Sequence, residues 1–334
     1  MVKQHGKKSK LKTEQDQTRV ENHTERGEKK IETEYSYHLP VMLTECLEAL
    51  QLHNDGIYVD ATFGGGGHSK AILEKLSNGK LIVFDQDADA KQEAEKIKSS
   101  SLTFCQANFK YLKKYLRLNG ITKVDGILAD LGISSHQIDA PERGFSTRFD
   151  GPLDMRMDTH QSLTAADVVN TYAEEELHKI LGIYGELKNA KTAARMIAAY
   201  RVQKPFNRTE DLKNALNNIA PRGKEFKYFA QVFQALRIEV NSEMQALEDF
   251  LHQCGEVLKP GGRLVIMSYH SLEDRMVKNY MNKGKIHGEV EKDFFGNEIK
   301  PFHQLTRKPI EPTEEEIKMN KRARSAKLRI AEKI

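Results

Sequence analysis

Ile57-Tyr-Val-Asp-Ala-Thr-Phe-Gly-Gly-Gly-Gly-His-Ser-Lys70 is the stretch whose reading decides the fold. A β-branched and aromatic run ends in Asp60, passes through Gly64 to Gly67 and continues into Ala71-Ile72-Leu73, where the pattern turns helical. Strand, glycine turn and helix together aim backbone N–H groups and a helix N-terminus at a polar ligand. Asp60 stands ahead of the glycines, where a carboxylate repels a pyrophosphate and welcomes a cation. Ser69 follows Gly67-His68, so the third glycine of the dinucleotide fingerprint is missing. Twenty-one residues past Gly64, the run Leu81-Ile82-Val83-Phe84 ends in Asp85, placed to accept from both hydroxyls of a ribose. A nucleoside with a positively charged tail suits this pair of acids, and S-adenosylmethionine is such a molecule.

Outward from that stretch the chain alternates. Strands are expected over 57–62, 80–85, 102–107 and 124–131, with helices over 68–76, 88–99 and 109–118 between them. Such alternation implies a parallel sheet with helices on both faces. Ligands of these sheets gather at the carboxyl ends of strands, which draws attention to Asp60, Asp85, Asn108-Phe109 and Asp130. Upstream, Leu43, Leu47 and Leu50 recur at helical spacing, and His38 reads as a packed histidine beside Pro40. The first 36 residues alternate Lys/Arg with Asp/Glu and hold few large apolar side chains, so a disordered tail is expected there.

After Asp130 the rhythm breaks into a long polar, glycine-bearing segment, of a length that is usually functional. Only helical patterns follow: 164–172, 174–183, 190–203 and 209–219, with Thr209-Glu210-Asp211 resembling a helix cap. An all-helical insertion over 138–235 is therefore expected within an α/β domain formed by 37–137 and 236–334. Its cations Arg195, Arg201, Lys204, Arg208, Arg222, Lys224 and Lys227 suit a polyanion as a set. One long helix is expected over 233–258, then a turn at Lys259-Pro-Gly-Gly262 and a buried strand at Leu264-Val-Ile-Met267. Beyond it, Ser271 and Asp274 form a capping-box pattern. The last strands are expected over 302–307 and 326–331, around an acidic helix at 314–319 and the basic run Lys321-Arg-Ala-Arg324.

The totals set bounds. The chain has 334 residues, 30% of them charged, with a net charge of +4, a balance compatible with a nucleic-acid partner without requiring one. Cys46, Cys105 and Cys254 are odd in number and widely spaced, which argues against a disulfide framework or structural zinc and favours a reducing, cytoplasmic setting. No apolar run approaches the ~18 residues of a membrane span, and no secretory signal pattern is seen.

Several blocks resemble one family closely: Tyr37-His-Leu-Pro-Val-Met-Leu43, Asp60-Ala-Thr-Phe-Gly-Gly-Gly-Gly-His-Ser69, Asp125-Gly-Ile-Leu-Ala-Asp-Leu-Gly-Ile-Ser-Ser135, Arg143-Gly-Phe-Ser146, Gly151-Pro-Leu-Asp-Met-Arg-Met-Asp158, Phe233-Gln-Ala-Leu-Arg-Ile-Glu-Val-Asn-Ser-Glu243 and Ser271-Leu-Glu-Asp-Arg275. They are similar to the RsmH (MraW) family, bacterial methyltransferases that modify N4 of a cytidine in the decoding region of 16S (small-subunit) ribosomal RNA. The resemblance begins near Tyr37 and runs to the C-terminus, and the Gly151–Asp158 block is specific to that family. It implies a class I S-adenosylmethionine-dependent methyltransferase (Rossmann-like) α/β fold with an inserted all-helical domain for substrate recognition. Carried over by position, the family's cofactor contacts fall on Gly66, Gly67, His68, Asp85, Phe109, Asp130 and Gln137.

The implied reaction moves a methyl from sulfonium to a cytosine amino group, whose lone pair is delocalised into the ring. Alignment is the main task, with an acceptor for the N–H as the second. Many amino-group methyltransferases place an Asp/Asn/Ser-Pro-Pro-aromatic motif after the fourth strand. Here that position reads Asp130-Leu-Gly-Ile-Ser-Ser135, so stacking must come from elsewhere, with Phe145, Phe149 and Tyr269 as candidates. Asp130 and His270 are expected to make the polar contacts to the amine, His270 being otherwise a residue of the helix cap. The base must be single-stranded or flipped out. No metal is required, and Asp154, Arg156 and Asp158 are expected to form a salt-bridged loop. The competing classes are a nicotinamide oxidoreductase, opposed by Ser69 and Asp60, a non-catalytic ribosome-assembly factor that binds the same cofactor, and a DNA amino-methyltransferase, opposed by the missing Pro-Pro-aromatic motif.

Overall fold

A computed structural model of the chain describes residues 40–334, so the tail expected over 1–36 and the packing of His38 lie outside the described residues. Helix α1 (Leu43–Leu50) buries Cys46 and Leu50. Then follow β1 (Ile57–Asp60), α2 (Gly67–Leu73), β2 (Lys80–Asp85), α3 (Ala88–Glu95) and β3 (Leu102–Gln106). A 3-10 turn at Phe109–Tyr111 leads into α4 (Leu112–Leu118), and β4 (Val124–Asp130) completes the first half. A short α5 (Ser135–Asp139) opens the long loop. Helices α6 (Ala165–Thr171), α7 (Glu174–Ile183), α8 (Ala190–Gln203), α9 (Thr209–Leu216), α10 (Glu225–Asn241) and α11 (Glu243–Val257) come next. Strand β5 (Leu258–Ser268), α12 (Ser271–Lys283), the small hairpin of β6 (Glu291–Lys292) and β7 (Glu298–Ile299), β8 (Phe302–Gln304), α13 (Glu314–Met319) and β9 (Lys327–Lys333) end the chain.

The main sheet has seven strands in the order β3-β2-β1-β4-β5-β9-β8. The pairs β1–β2, β1–β4, β2–β3 and β4–β5 are parallel, whereas β9 runs antiparallel to both β5 and β8. The strand order reverses beside β1, which opens a crevice at the carboxyl ends of β1 and β4, the usual ligand position in open α/β sheets. Alternate residues of each strand point to opposite faces. Ile82, Phe84, Leu264 and Ile266 accordingly join a core with Leu116 of α4, Phe250 of α11 and Val277 of α12. Leu81, Val83, Val265 and Met267 face the other way, onto Cys46 of α1, Ile72 of α2 and Ala94 of α3. A third core, between Phe145 and Val240, belongs to the helices that follow β4.

Three expectations are corrected here. The long helix expected over 233–258 is two helices, because Ser242 adopts a left-handed conformation (φ 49°) between α10 and α11. The Lys259–Gly262 stretch lies inside β5. The register steps from Val124↔Leu258 to Gly126↔Arg263, so these residues bulge opposite Asp125, with Gly261 at φ 79°. The capping box of α12 is built by His270 and Glu273 rather than Ser271 and Asp274. Ser271 Oγ instead donates to Glu186, and Asp274 accepts both hydrogen bonds of the Arg329 guanidinium.

The loop between β4 and α6 is fastened at several points. Arg143 pairs with Asp87 and Asp89 at the start of α3 and donates to the carbonyls of Arg156 and Met157. Asn241, at the end of α10, accepts from Met157 N and donates to the Met155 carbonyl. Gly151 packs so closely that a Cβ there would sit 1.8 Å from the Pro141 carbonyl oxygen. Arg156 forms the expected salt bridge with Asp154, whereas Asp158 caps His160 N.

Candidate active site

The glycine turn is held to the sheet by backbone hydrogen bonds, Ala61 N to Leu128 O and Phe63 N to Phe84 O. Gly66 caps α2 with φ 76°, and a Cβ there would meet the Phe63 ring at 2.6 Å, so both the conformation and the space demand glycine. Gly65 has open space where a side chain would be. The turn is thus a backbone cradle facing outward.

Asp60, Asp85 and Asp130 stand at the carboxyl ends of the adjacent strands β1, β2 and β4. Asp60 is buried and accepts from Ser69 Oγ at 2.6 Å and Thr62 N at 3.1 Å. Asp85 accepts from Gly64 N and Asp87 N, both at 2.9 Å, so it fixes the turn as well as facing it. Asp130 Oδ1 accepts from the Tyr269 hydroxyl at 2.8 Å, while its own N–H donates to Thr62 Oγ1 at 2.7 Å. Asp130 Oδ2 has no protein donor among the described residues, and none of the three carboxylates has an ion-pair partner there. Burial, with a smaller contribution from neighbouring acids, pushes Asp60 up to about 7, Asp85 to about 6 and Asp130 to about 7. Three acids without an ion-pair partner among the described residues, set beside the glycine turn, are chemically suited to a cationic nucleoside such as a sulfonium donor.

The remaining residues singled out from sequence fall as follows. Gly67 and His68 begin α2. The buried His68 ring bonds the Val41 carbonyl through Nε2, and burial lowers its pKa to about 4, so its side chain is neutral. Phe109 lies after β3 with its ring 5.0 Å from that of Phe250, partly exposed. Gln137 is buried, caps Ser134 N through Oε1 and donates to Asp87, so both ends of its amide are engaged within the protein. His270 lies on the same turn as Tyr269. Its Nδ1 faces Glu273 N, and its Nε2 is 3.1 Å from Glu273 Oε1 without good hydrogen-bond alignment. Phe145 is buried in the helical core, which removes it as a stacking surface, whereas Phe149 is 47% exposed.

Thr62, Ser69 and Glu273 are the site-building residues that the sequence reading passed over. Glu273 is buried and accepts from Tyr269 N at 3.0 Å, setting the turn that carries the Asp130 partner. Burial works to raise its pKa, but His270 and Arg237 more than offset that and hold it below the usual carboxylate range. Arg237 in turn makes a bidentate pair with Glu243 across the Ser242 break, at 2.8 and 2.9 Å. The signal for Glu273 was its spacing of three from His270, a residue that is rarely read as a cap.

Comparison with known proteins adds a relationship. The sequence profile of the MraW methylase family matches residues 35–334. A ribosomal RNA small subunit methyltransferase H of Cytophaga hutchinsonii is 60% identical over 297 residues, covering 89% of this chain and 99% of that one. The protein of the same name from Flavobacterium psychrophilum is 56% identical, covering 87% and 100%. That from Bacteroides fragilis is 52% identical, covering 90% and 99%.

Proposed function

This chain belongs to the MraW methylase family, and on that premise we propose that it methylates N4 of a cytidine in the decoding region of small-subunit ribosomal RNA. Membership and the relatives make it an S-adenosylmethionine-dependent methyltransferase of ribosomal RNA with a class I α/β fold. The cytosine amino group, the small-subunit setting and the residue roles are the added reading. The observation that carries it is Asp130, a carboxylate at the mouth of β4 with Oδ1 held by Tyr269 and Oδ2 without a donor among the described residues.

In this reading Gly67 and His68 offer backbone N–H groups to the donor, and Gly66, whose own N–H and carbonyl are bonded to Phe63 and Lys70, shapes the turn for it. Asp85 takes the ribose hydroxyls and Phe109 lies against the adenine. Gln137 holds Asp87 and the loop behind them in place. The bound donor supplies an electrophilic methyl group. Asp130 Oδ2 accepts an N–H of the amine, which turns the nitrogen lone pair out of the ring and toward the methyl. After transfer the same carboxylate takes the proton. A group held at about 7 is matched to that exchange near neutral pH. His270 contacts the base from the turn that follows β5, and Phe149 or Tyr269 supplies the stacking face. The residues would hold the base by position alone, so no metal is invoked. Such a substrate puts the enzyme in the cytoplasm.

The test is methyl incorporation from labelled donor into free ribosomal RNA, small subunits and DNA in parallel. Label in either RNA substrate and none in DNA is expected. Label in DNA alone, or in none of the three, would overturn the reading.

A further inference from the structure

The structure sorts the cations of the helical unit. Arg201 is spent on the carbonyls of Val169 and Tyr172, Lys204 pairs with Asp211, and Arg208 pairs with Asp150. Lys188, Lys191, Arg195, Arg222, Lys224 and Lys227 are exposed, and none has a carboxylate partner among the described residues. Lys191 and Arg195, four apart on α8, share one face, and Lys188 stands in the turn just before that helix. Two contacts bring the other three alongside. Asn189 donates to the Ile219 carbonyl at 3.2 Å, so the start of α8 touches the segment leading to Arg222. Gln231 of α10 donates to the Gly185 carbonyl at 2.9 Å, and Lys227 lies one turn before it on the same helical face. Phe226, 64% exposed, lies between Lys224 and Lys227 in sequence, on the first turn of α10. The nearby acids are both engaged. Glu225 accepts from Gly223 N, and Glu186 accepts from Ser271 Oγ at 2.7 Å and pairs with Arg275.

The Glu186–Ser271 contact fixes where this surface begins. Ser271 follows Tyr269 and His270, so the cationic face starts at the rim of the candidate active site and runs outward along the helical unit. Exposed cations and an exposed aromatic ring on one helical unit combine phosphate neutralisation with base stacking, the pairing that single-stranded nucleic acid needs. Resting on the function proposed above, we propose that Lys188, Lys191, Arg195, Arg222, Lys224 and Lys227 around Phe226 form a track for single-stranded RNA flanking the target nucleotide. The track holds the strand by its phosphates while Phe226 stacks on one base.

The test measures binding apart from catalysis. A labelled single-stranded oligoribonucleotide is titrated by fluorescence anisotropy over a range of KCl concentrations. The triple variant K188E/K191E/R195E is expected to flatten the slope of log K against log salt by about 2, at roughly 0.7 per lost phosphate contact. F226A is expected to weaken binding by about 5- to 150-fold with the slope unchanged, the range for loss of one stacked base. The variant K75E/K80E/K98E makes the same charge change at the amino-terminal edge of the sheet and is expected to bind like wild type. Donor affinity by calorimetry is expected to be the same in all four proteins. A wild-type slope in the first triple variant, or an equal loss in the second, would overturn the track. So would loss of binding to small subunits with oligoribonucleotide binding intact, since the surface would then serve a protein partner. Absence of methyl transfer by the wild type would sink the activity while leaving this binding comparison decisive.

Discussion

At Asp60, Asp85 and Asp130 the fold places acids where water is scarce and supplies hydroxyl and backbone donors in place of cations. A carboxyl raised above its ordinary value destabilises the folded protein as pH rises past that value, and the cost is complete above the raised one. A bound sulfonium removes the cost, because it favours the ionised form. Donor affinity should therefore climb as pH rises through about 6 to 7 and level off above, with protons released on binding at the lower end. Calorimetry in two buffers of different ionisation enthalpy reads both effects, and an affinity that is flat across this window would remove the carboxylates from the binding energy. Tyr269 holds Asp130 down through its hydroxyl while burial holds it up. Tyr269→Phe should move the acid limb of the pH–rate profile to higher pH. A limb that stays in place would take Asp130 out of the proton transfer.

At the scale of elements, two joints govern the site. The first is the turn between β1 and α2, where Gly66→Ala would force a left-handed alanine against the Phe63 ring. Strain of about 1–3 kcal/mol is expected. It should appear as a melting temperature lowered by a few degrees and as weaker donor binding in calorimetry, and wild-type affinity would show that the turn does not shape the cradle. The second joint is the meeting of α10, α11 and α12, where Glu273 lies between His270 and Arg237. Removing a buried ionic partner costs about 3–5 kcal/mol, so Glu273→Ala should be strongly destabilised in urea. Glu273 has a depressed pKa, so its contribution is present above the ordinary carboxylate value and fades as pH falls through the depressed one. The gap between wild type and variant should narrow in acid, and a gap independent of pH would contradict a charged role. These joints differed in how far they could be read beforehand. β2 and α7 were legible to the residue because their apolar patterns and flanking turns are local. The break at Ser242 was not, since helix formers continue on both sides and only the packing of Arg237 and Asn241 around it explains the bend. Glu273 was missed because histidine is rarely read as a helix cap and because its other charged neighbour, Arg237, comes from α10, far away in sequence.

Over the whole molecule, a sheet with two cores carries the proposed donor site, and a third core is formed by the helices that follow β4. The α/β half was readable because alternation of strand and helix fixes topology almost alone. The helical half was readable as helices, but its orientation was not, because Arg143, Gln161 and Asn241 tie it down through contacts with no sequence period. No helix among the described residues is long and apolar enough to cross a membrane. The cationic face of α8 and α10 and the acidic mouth of the sheet meet at the turn after β5, so a polyanion can lie along one while its target amine enters the other. N4 methylation is tested by methylating small-subunit RNA with isotopically labelled donor, digesting it to nucleosides and identifying the labelled one by mass spectrometry. Label is expected on the exocyclic nitrogen of a single cytidine, whereas label on a ring carbon, a ribose oxygen or another base would rule out methylation at N4.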